Sequence, residues 1–509
     1  MMRQSGGGSW RGRAAACVGL LATAAAVHAQ PLELYVDDDA PPGGDGLSWA
    51  TAFRDLQDAL QIPLPVGVSA RVVRIAQGVY SPDRGAGDRA ATFRVASGAT
   101  LLGGFAGIGS PDPDARDPRA FLSVLSGDLS GDDGPGFANR ADNALHVVTV
   151  EGDFNLLDGL VIRGGFVDPA ATPEIAGGGV RLQVLSGWLP LTIRDCVIED
   201  NFATIGGGIG SLGGRVRIER STVRGNLAAD SGGGAWLHGG VVRSSRFVGN
   251  VSGGRGGALF CSTRDLQIEN ACFVGNLSED GGALYAWHAN VRIANCTFWA
   301  NVAQSGDAVS LWGWRDTSIW ASILASPQAG EQLASVSPRR YMLRSSIVQG
   351  GVDPVLLLSG ETFAGLGNTD LSPRFADPLG IDGIAGTDDD DLRLRSNSPA
   401  IDAAWHDGDL FPELLAGGDL LGQARVHDDP GTPNIGIGAG GALDIGAYEF
   451  QGTSCRADHN GDGAVGVADI FDYLIDWFAQ RAEADFDRDR SVAVADIFGF
   501  VAAWFAGCP

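Results

Sequence analysis

The sequence predicts a mainly β solenoid of stacked parallel coils followed by a small α-helical module. Two observations predict it: a repeat of about 25 residues between Asp195 and Val309, and an acidic loop-helix pattern that occurs twice after Cys455. The repeat aligns on Asn201, Asn226, Asn250, Asn276 and Asn301, spaced 25, 24, 26 and 25 residues apart. Three residues before each stands a large apolar side chain (Ile198, Val223, Phe247, Phe273, Phe298) and five before a small one (Cys196, Ser221, Ser245, Ala271, Cys296). A fixed period of this length means stacked units and not one globular core. The apolar runs are short, alternating and split by Gly and Asn, which suits strands and not helices. Each block then closes one turn of a coil, its strands pairing in parallel with the next turn at ~4.8 Å. On that arrangement the asparagines become a ladder of amides bonding along the axis. Asn also tolerates the left-handed backbone a coil corner needs, and neighbouring Gly does so more easily.

Composition narrows the setting. All 36 basic residues are Arg, and the net charge is −25. Such a surface repels phosphate backbones, so nucleic acid is a poor partner, whereas divalent cations are favoured. Residues 1–29 read as a signal peptide, with Arg3, Arg11 and Arg13 before an apolar run and Val27-His28-Ala29 as a cleavage site. No later stretch is long and apolar enough to span a bilayer. The expectation is a secreted or cell-surface protein in an oxidising setting.

In chain order, residues 30–125 are expected to form an N-terminal cap and the first coils. Trp49 to Leu60 predicts a short amphipathic helix with Phe53, Leu56 and Leu60 on one face, sealing the open end of the first coil. Residues 126–330 hold the regular coils, and 331–450 less regular ones and a closing segment. The run Asp388 to Asp391 reads as a solvated turn in preference to a calcium loop. The periodic blocks, with GLSWATAFRDLQDAL, LLGGFAG, VLSGDLSGDD, SPAID and DIGAYE around them, resemble exported right-handed parallel β-helix proteins of the pectate-lyase-like superfold. The resemblance implies fold and export and is silent on chemistry.

After a short polar linker at 451–454, residues 455–509 change character. Residues 458–469 read DHNGDGAVGVAD, which matches an EF-hand-type loop that needs oxygen ligands at positions 1, 3, 5, 7 and 12 with Gly at 6. Asp458, Asn460, Asp462, the Ala464 carbonyl and Asp469 fill those places. Asp485, Asp487, Asp489, Ser491 and Asp496 fill them again 27 residues on, with Arg490 in place of the Gly. Each loop precedes apolar residues at helical spacing, so two calcium ions are expected. The duplicated loop-helix module resembles a dockerin, which implies a cohesin-type partner and places its contacts at Val467, Ala468, Val494 and Ala495. Cys455 and Cys508 bracket the module, and a disulfide between them would stabilise so small a core by ~3–4 kcal/mol.

For the solenoid, the regular coils hold no Asp–Asp pair of the kind glycoside hydrolysis uses. Asp195 over Arg220 and Glu199 over Arg224 read as structural columns, and His238 as an inward, packed residue beside Trp236. Outward phases set Phe260 beside Tyr285 and Trp287 beside Trp312, rows that would stack sugar rings unless residues 313–345 fold back over them. The favoured reading is a displayed, non-catalytic β-helix that contacts polysaccharide or cell surfaces and is anchored by its dockerin. The alternative is a polysaccharide lyase or glycoside hydrolase on the same scaffold, delivered to a degrading assembly.

Overall fold

The computed structural model describes residues 30–168, 176–183, 191–313, 315–328, 330–336, 340–351, 367–404, 417–436, 442–453, 455–489 and 491–507. The expected signal peptide, Arg490 and Cys508 lie outside them. Three long parallel sheets of eleven, nine and ten strands run the length of the solenoid, each ordered along the chain by successive coils. One coil shows the plan: Leu266–Glu269 in the eleven-stranded sheet, Cys272–Val274 in the ten-stranded sheet across the corner, and Leu284–Trp287 in the nine-stranded sheet. Equivalent residues sit on one another in register, for example Ile218 with Val242 and Val242 with Ile268. These inward positions are fully buried and form one continuous apolar core.

Each corner has a local cause. Between the first two strands a single residue takes the left-handed conformation: Asp195, Arg220, Ser244, Asn270, Asn295, Ala321 or Ser345, with φ between 44° and 53°. The next residue is small and buried, and its column carries its own ladder, in which the Cys196 N–H donates to Ser221 Oγ (3.1 Å) and the Ser221 N–H to Ser245 Oγ (3.2 Å). At the second corner the left-handed residue is Asp200, Gly225, Gly249, Gly275 or Ala300. Each immediately precedes a ladder Asn, so the corner strain falls on that neighbour, a Gly at three of the five corners as expected, and not on the Asn itself.

The ladder is continuous. Asn201 Nδ2 donates to Asn226 Oδ1, and the bond repeats from Asn226 to Asn250, Asn250 to Asn276 and Asn276 to Asn301 at 2.9–3.0 Å. Each Oδ1 also accepts the backbone N–H of the preceding Asn, as Asn250 Oδ1 does from Asn226 (3.2 Å). Phe247, Phe273 and Phe298 stack alongside, with centroids 5.0 and 4.7 Å apart.

The N-terminal helix is shorter than expected. A 3₁₀ turn at Trp49–Thr51 is followed by helix α1, Leu56–Gln61. Phe53 leaves the helix because its backbone bonds across to Tyr35 and Asp37 in the manner of a strand edge. Leu56 and Ala59 close the core at that end. Arg71 ties down the helix's last carbonyls, donating to Ala59, Leu60 and Ile62 at 2.6–2.7 Å.

At the other end the sheets continue past residue 330, through Leu333–Val336, Arg340–Arg344 and Ile347–Val348. An antiparallel pair, Phe375–Asp377 with Asp391–Leu394, then turns the chain back over the coils. The aspartate run sits in this turn. Asp388 pairs with Arg224 (2.8 Å) and Arg246 (3.2 Å), Asp389 accepts the N–H groups of Ile381 and Asp382, and Asp391 pairs with Arg393 (2.6 Å). Two helices, α2 (Val467–Phe478) and α3 (Val494–Ala506), form the C-terminal module. No described helix is long and apolar enough to cross a membrane.

Candidate functional site

The C-terminal module is built on a two-fold repeat. Tyr473 of α2 and Phe500 of α3 occupy equivalent positions and stack face to face, 4.0 Å apart and 3° from parallel, at the centre of its core. Trp477 Nε1 donates to the Ala493 carbonyl (2.8 Å) and Trp504 Nε1 to the Gly466 carbonyl (2.7 Å). Each helix therefore holds the end of the other helix's loop.

Both loops curl around their own acids. In the first, Asp458 accepts the N–H groups of Asp462 (3.0 Å) and Gly463 (2.9 Å), and Asp469, fully buried in the first turn of α2, accepts those of Asn460 and Gly466. In the second, Asp485 accepts from Asp489 (3.1 Å), and Asp489 from the backbone and hydroxyl of Ser491. Asp496 accepts from Phe486, Asp487 and Ala493. Asp485, Asp487 and Asp489 each offer a carboxylate oxygen within 4.8 Å of the others. Gly463 takes φ 87°, the sharp turn a Gly supplies at that place. The donor set is oxygen throughout, which fits a hard divalent cation.

Val467, Ala468, Val494 and Ala495 are exposed at the starts of the two helices. Phe471 and Phe478 on α2, and Phe498 and Phe505 on α3, are exposed as well. The module is also bonded to the solenoid, a contact that nothing in a polar linker announces. Asn397 Nδ2 donates to the Asp458 carbonyl (2.7 Å), and Arg488, from the second loop, donates to the carbonyls of Ile401 (2.9 Å) and Ser398 (3.2 Å). Asn397 carried no sequence signal beyond its place next to the SPAID run, and Arg488 none beyond its place in the second loop.

On the coil face the aromatic rows divide. Trp287 and Trp312 stack 6.0 Å apart and keep 36% and 39% of their surface. Phe260 and Tyr285 also stack, 5.4 Å apart, but are 8% and 1% exposed, so the expectation of an open row fails for this pair. Their faces are covered by neighbours: Trp236 lies on Phe260 (6.0 Å), and the Arg255 guanidinium lies over Tyr285 (5.4 Å). Residues 316–320 do not fold back over the tryptophans and instead extend the first sheet. His238 is a second correction: it points outward with Trp236, half-buried, while Ala235 and Leu237 face the core. Its ring accepts or donates at Ser262 Oγ (2.8 Å), and burial, with Arg264 nearby, holds it below the usual histidine range.

The two acid–base columns pair as columns. Arg220 meets Asp195 at 2.9 and 2.7 Å, and Arg224 meets Glu199 at 2.9 and 2.7 Å. Beside them, the outer face of the first sheet carries a shallow groove of about 550 Å³ lined by Arg217, Gln267, Asn290, Arg292, Ser318 and Trp320, which the sequence reading did not single out. Cys196, Cys261, Cys272 and Cys296 are free and buried, and burial pushes the Cys196 and Cys296 thiols up to about 12. Cys455 has a bonded partner.

No family model matches the chain, and no curated protein matches it. Among solved structures, the crystal structure of pectate lyase Pel9A aligns with 14% identity over 83% of this chain and 97% of that one, at a TM-score of 0.41.

Proposed function

We propose that the chain is an exported β-helix that presents its coil face to polysaccharide or to a neighbouring surface, and that its C-terminal module is a dockerin-like plug which takes two calcium ions and engages a cohesin-type partner. The observation that carries this reading is the two-fold construction of the module. Two loops of the same ligand pattern are each closed by an acid from the following helix and each held by the opposite helix's tryptophan. Calcium would supply charge that offsets ten acids against four Arg in this stretch. Asp458, Asn460, Asp462, the Ala464 carbonyl and Asp469 would hold one ion. Asp485, Asp487, Asp489, Ser491 and Asp496 would hold the other. The exposed Val467, Ala468, Val494 and Ala495, flanked by the exposed phenylalanines, offer the apolar contact such a partner needs. A Cys455–Cys508 bond would tie the module's ends.

The test uses the full chain. Calcium is expected to raise the far-ultraviolet helical signal and to permit capture by immobilised cohesin modules. Both effects should disappear on chelation and in Asp458→Ala with Asp485→Ala. A helical signal indifferent to calcium would sink the module's assignment. Stacking of sugar by Trp287 and Trp312 predicts glycan binding that is lost in Trp287→Ala with Trp312→Ala.

One observation favours the enzymatic alternative: the groove holds Arg217 and Arg292, bases of the kind a lyase uses against an acidic sugar. Unsaturated-uronate absorbance and reducing ends over a panel of acidic and neutral glycans decide between the readings, since turnover on any of them establishes catalysis.

A further inference from the structure

A second acidic loop, far from the C-terminal module in sequence, is built differently from the acidic surface around it. After the strand Ser123–Ser126 the chain runs out through residues 127–143 before returning at Val148–Val150. Within it Asp128, Asp132 and Asp142 each bring a carboxylate oxygen within 4.8 Å of the others. Asp133 stands beside them, and residues 127–143 hold one base, Arg140. That base is already committed. Its Nε stands 3.1 Å from Asp133 as an ion pair without a hydrogen bond, its Nη1 donates to the Asp200 carbonyl (2.5 Å), and its guanidinium lies over the Phe137 ring (4.9 Å).

The independent observation is a set of buried oxygens with no hydrogen-bond donor. Asp142 Oδ2, Asp133 Oδ1 and Asn143 Oδ1 are all in this condition. Asn143 is fully buried, and its amide borders the acids: Nδ2 donates to Asp133 Oδ2 (2.9 Å) and to the Gly164 carbonyl (2.7 Å), while its oxygen receives nothing. A buried acceptor left without a donor costs ~1–3 kcal/mol, and three within one short loop require something to meet them. The Asp37–Asp39 cluster has comparably close carboxylates but no such deficit: Asp37 accepts the N–H groups of Asp39 and Ile108, and Asp38 that of Val79.

We propose that the loop at residues 127–143 binds a divalent cation of the calcium class, with Asp128, Asp132 and Asp142 as its carboxylate ligands and Asn143 Oδ1 as a neutral one. The donors are hard oxygens, with no His or Cys among them, which selects calcium over zinc. Asn143 is bonded to Gly164, which follows the strand Leu160–Arg163 of the next coil, so a cation here joins the loop to the solenoid wall. This site does not depend on the C-terminal module.

The experiment is calcium equilibrium dialysis on the full chain carrying Asp458→Ala and Asp485→Ala, which removes both C-terminal loops from the measurement. About one bound equivalent is expected to remain. Adding Asp132→Asn, an exposed position that leaves the fold intact, should weaken it roughly tenfold or more, and adding Asp142→Asn as well should abolish it. Calcium should also slow proteolytic cleavage between residues 128 and 143 in the parent and not in the Asp132→Asn, Asp142→Asn chain. No binding at millimolar calcium once the C-terminal loops are disabled, or binding unmoved by the two Asn substitutions, overturns the site. Either result leaves the module's own calcium dependence to stand or fall separately.

Discussion

The regular coils and the closing segment bury polar groups in opposite ways. Between Cys196 and Asn301 the buried polar groups are neutral apart from Glu269, which pairs with Arg243, and the Asn and Ser/Cys columns meet copies of themselves one coil away. Between Ser398 and Phe450 they are charged: Asp402, Asp419, Asp429, Asp444, Glu449 and Arg425 are each at most 5% exposed. The reason is that the last coil has no next coil to bond. Carboxylates take over as acceptors. Asp444 accepts the N–H groups of Asp402 (2.8 Å) and Phe450 (2.6 Å), Glu449 that of Asp444 (3.2 Å), Asp419 those of Leu421, Gln423 and Glu449, and Asp402 that of Asp429. Arg425 serves the carbonyls, donating to Gly446 (2.5 Å), and stands 3.8 Å from Glu449. Repetition solves the hydrogen-bond problem with like on like, while an end solves it with unlike charges.

If that contrast is right, the largest single loss should come from Arg425. Arg425→Met strands Glu449 and Asp444 in the interior without their counter-charge and is expected to cost ~3–5 kcal/mol in urea unfolding. Adding Glu449→Gln should recover much of it, because the loss belongs to the uncompensated charge and not to the missing side chain. Failure of the double variant to recover would mean that Arg425 acts mainly by filling space.

The ladder should respond by position. Asn250 Oδ1 accepts from the backbone and side chain of Asn226, and its Nδ2 donates to the Val223 carbonyl and to Asn276. Asn301 accepts the same two bonds from Asn276 but donates only to the Phe273 carbonyl. Asn250→Ala is expected to cost ~2–4 kcal/mol and Asn301→Ala about 1 kcal/mol less. Equal losses at both positions would mean that each Asn serves its own corner and that the chain of amides adds nothing.

The two regions should also separate by pH. Burial pushes Asp402 up to about 6 and Asp444 up to about 7, and Glu449 is raised too, by burial and then by Asp444. Unfolded carboxylates titrate near ~4. From there up to the folded values the native state holds protons the unfolded chain has released, so stability is complete below the unfolded pKa and declines as pH rises through about 6 to 7. Arg425 and the module's Arg488 limit that decline, and Asp419, Asp428 and Asp429 add to it. Amide-proton exchange should therefore quicken with pH at residues 398–404 and 442–450 beyond its intrinsic base catalysis. The neutral ladder around Asn226 to Asn276 should follow the intrinsic rate alone.

What could be read from the sequence follows the same division. A ladder announces itself because a column of identical residues leaves a period, so the coils, their inward apolar phase and the Asn file were all legible. The acids of SPAID and DIGAYE were visible as residues, but not as the acceptors for Asp402, Phe450 and Asp444 N–H groups, since the Asp402 bond joins segments 42 residues apart and the other two close a single local turn, with no repeat to mark either. His238 was misplaced by a slip of one residue, which in a strand exchanges the two faces. Phe260 and Tyr285 were put on the right face but their burial was missed, because it depends on Trp236 and Arg255 lying over them. The helix expected from Trp49 stopped short because Phe53 found a strand partner in Tyr35, a tertiary choice that helical spacing cannot foresee.

The smallest expected effect tests whether charge matters to the coils at all. Asp195 and Arg220 form a two-bond ion pair between successive coils, but 54% of the Arg220 side chain and 33% of that of Asp195 remain accessible. Solvent screens such a pair, so Asp195→Asn with Arg220→Gln should show a coupling of only ~0.2–1 kcal/mol in a double-mutant cycle, falling further in salt. Asp195 and Arg220 are also corner residues at φ 52° and 46°; Asn tolerates the left-handed region as Asp does, and Gln replaces Arg by another unbranched side chain, so little backbone strain enters the cycle. A coupling as large as the loss in Arg425→Met would erase the contrast between neutral coils and a charged end. A value near zero sharpens it, because an Arg–carboxylate pair of the kind that decides stability in the interior of the closing segment then does nothing measurable on the outside of a coil.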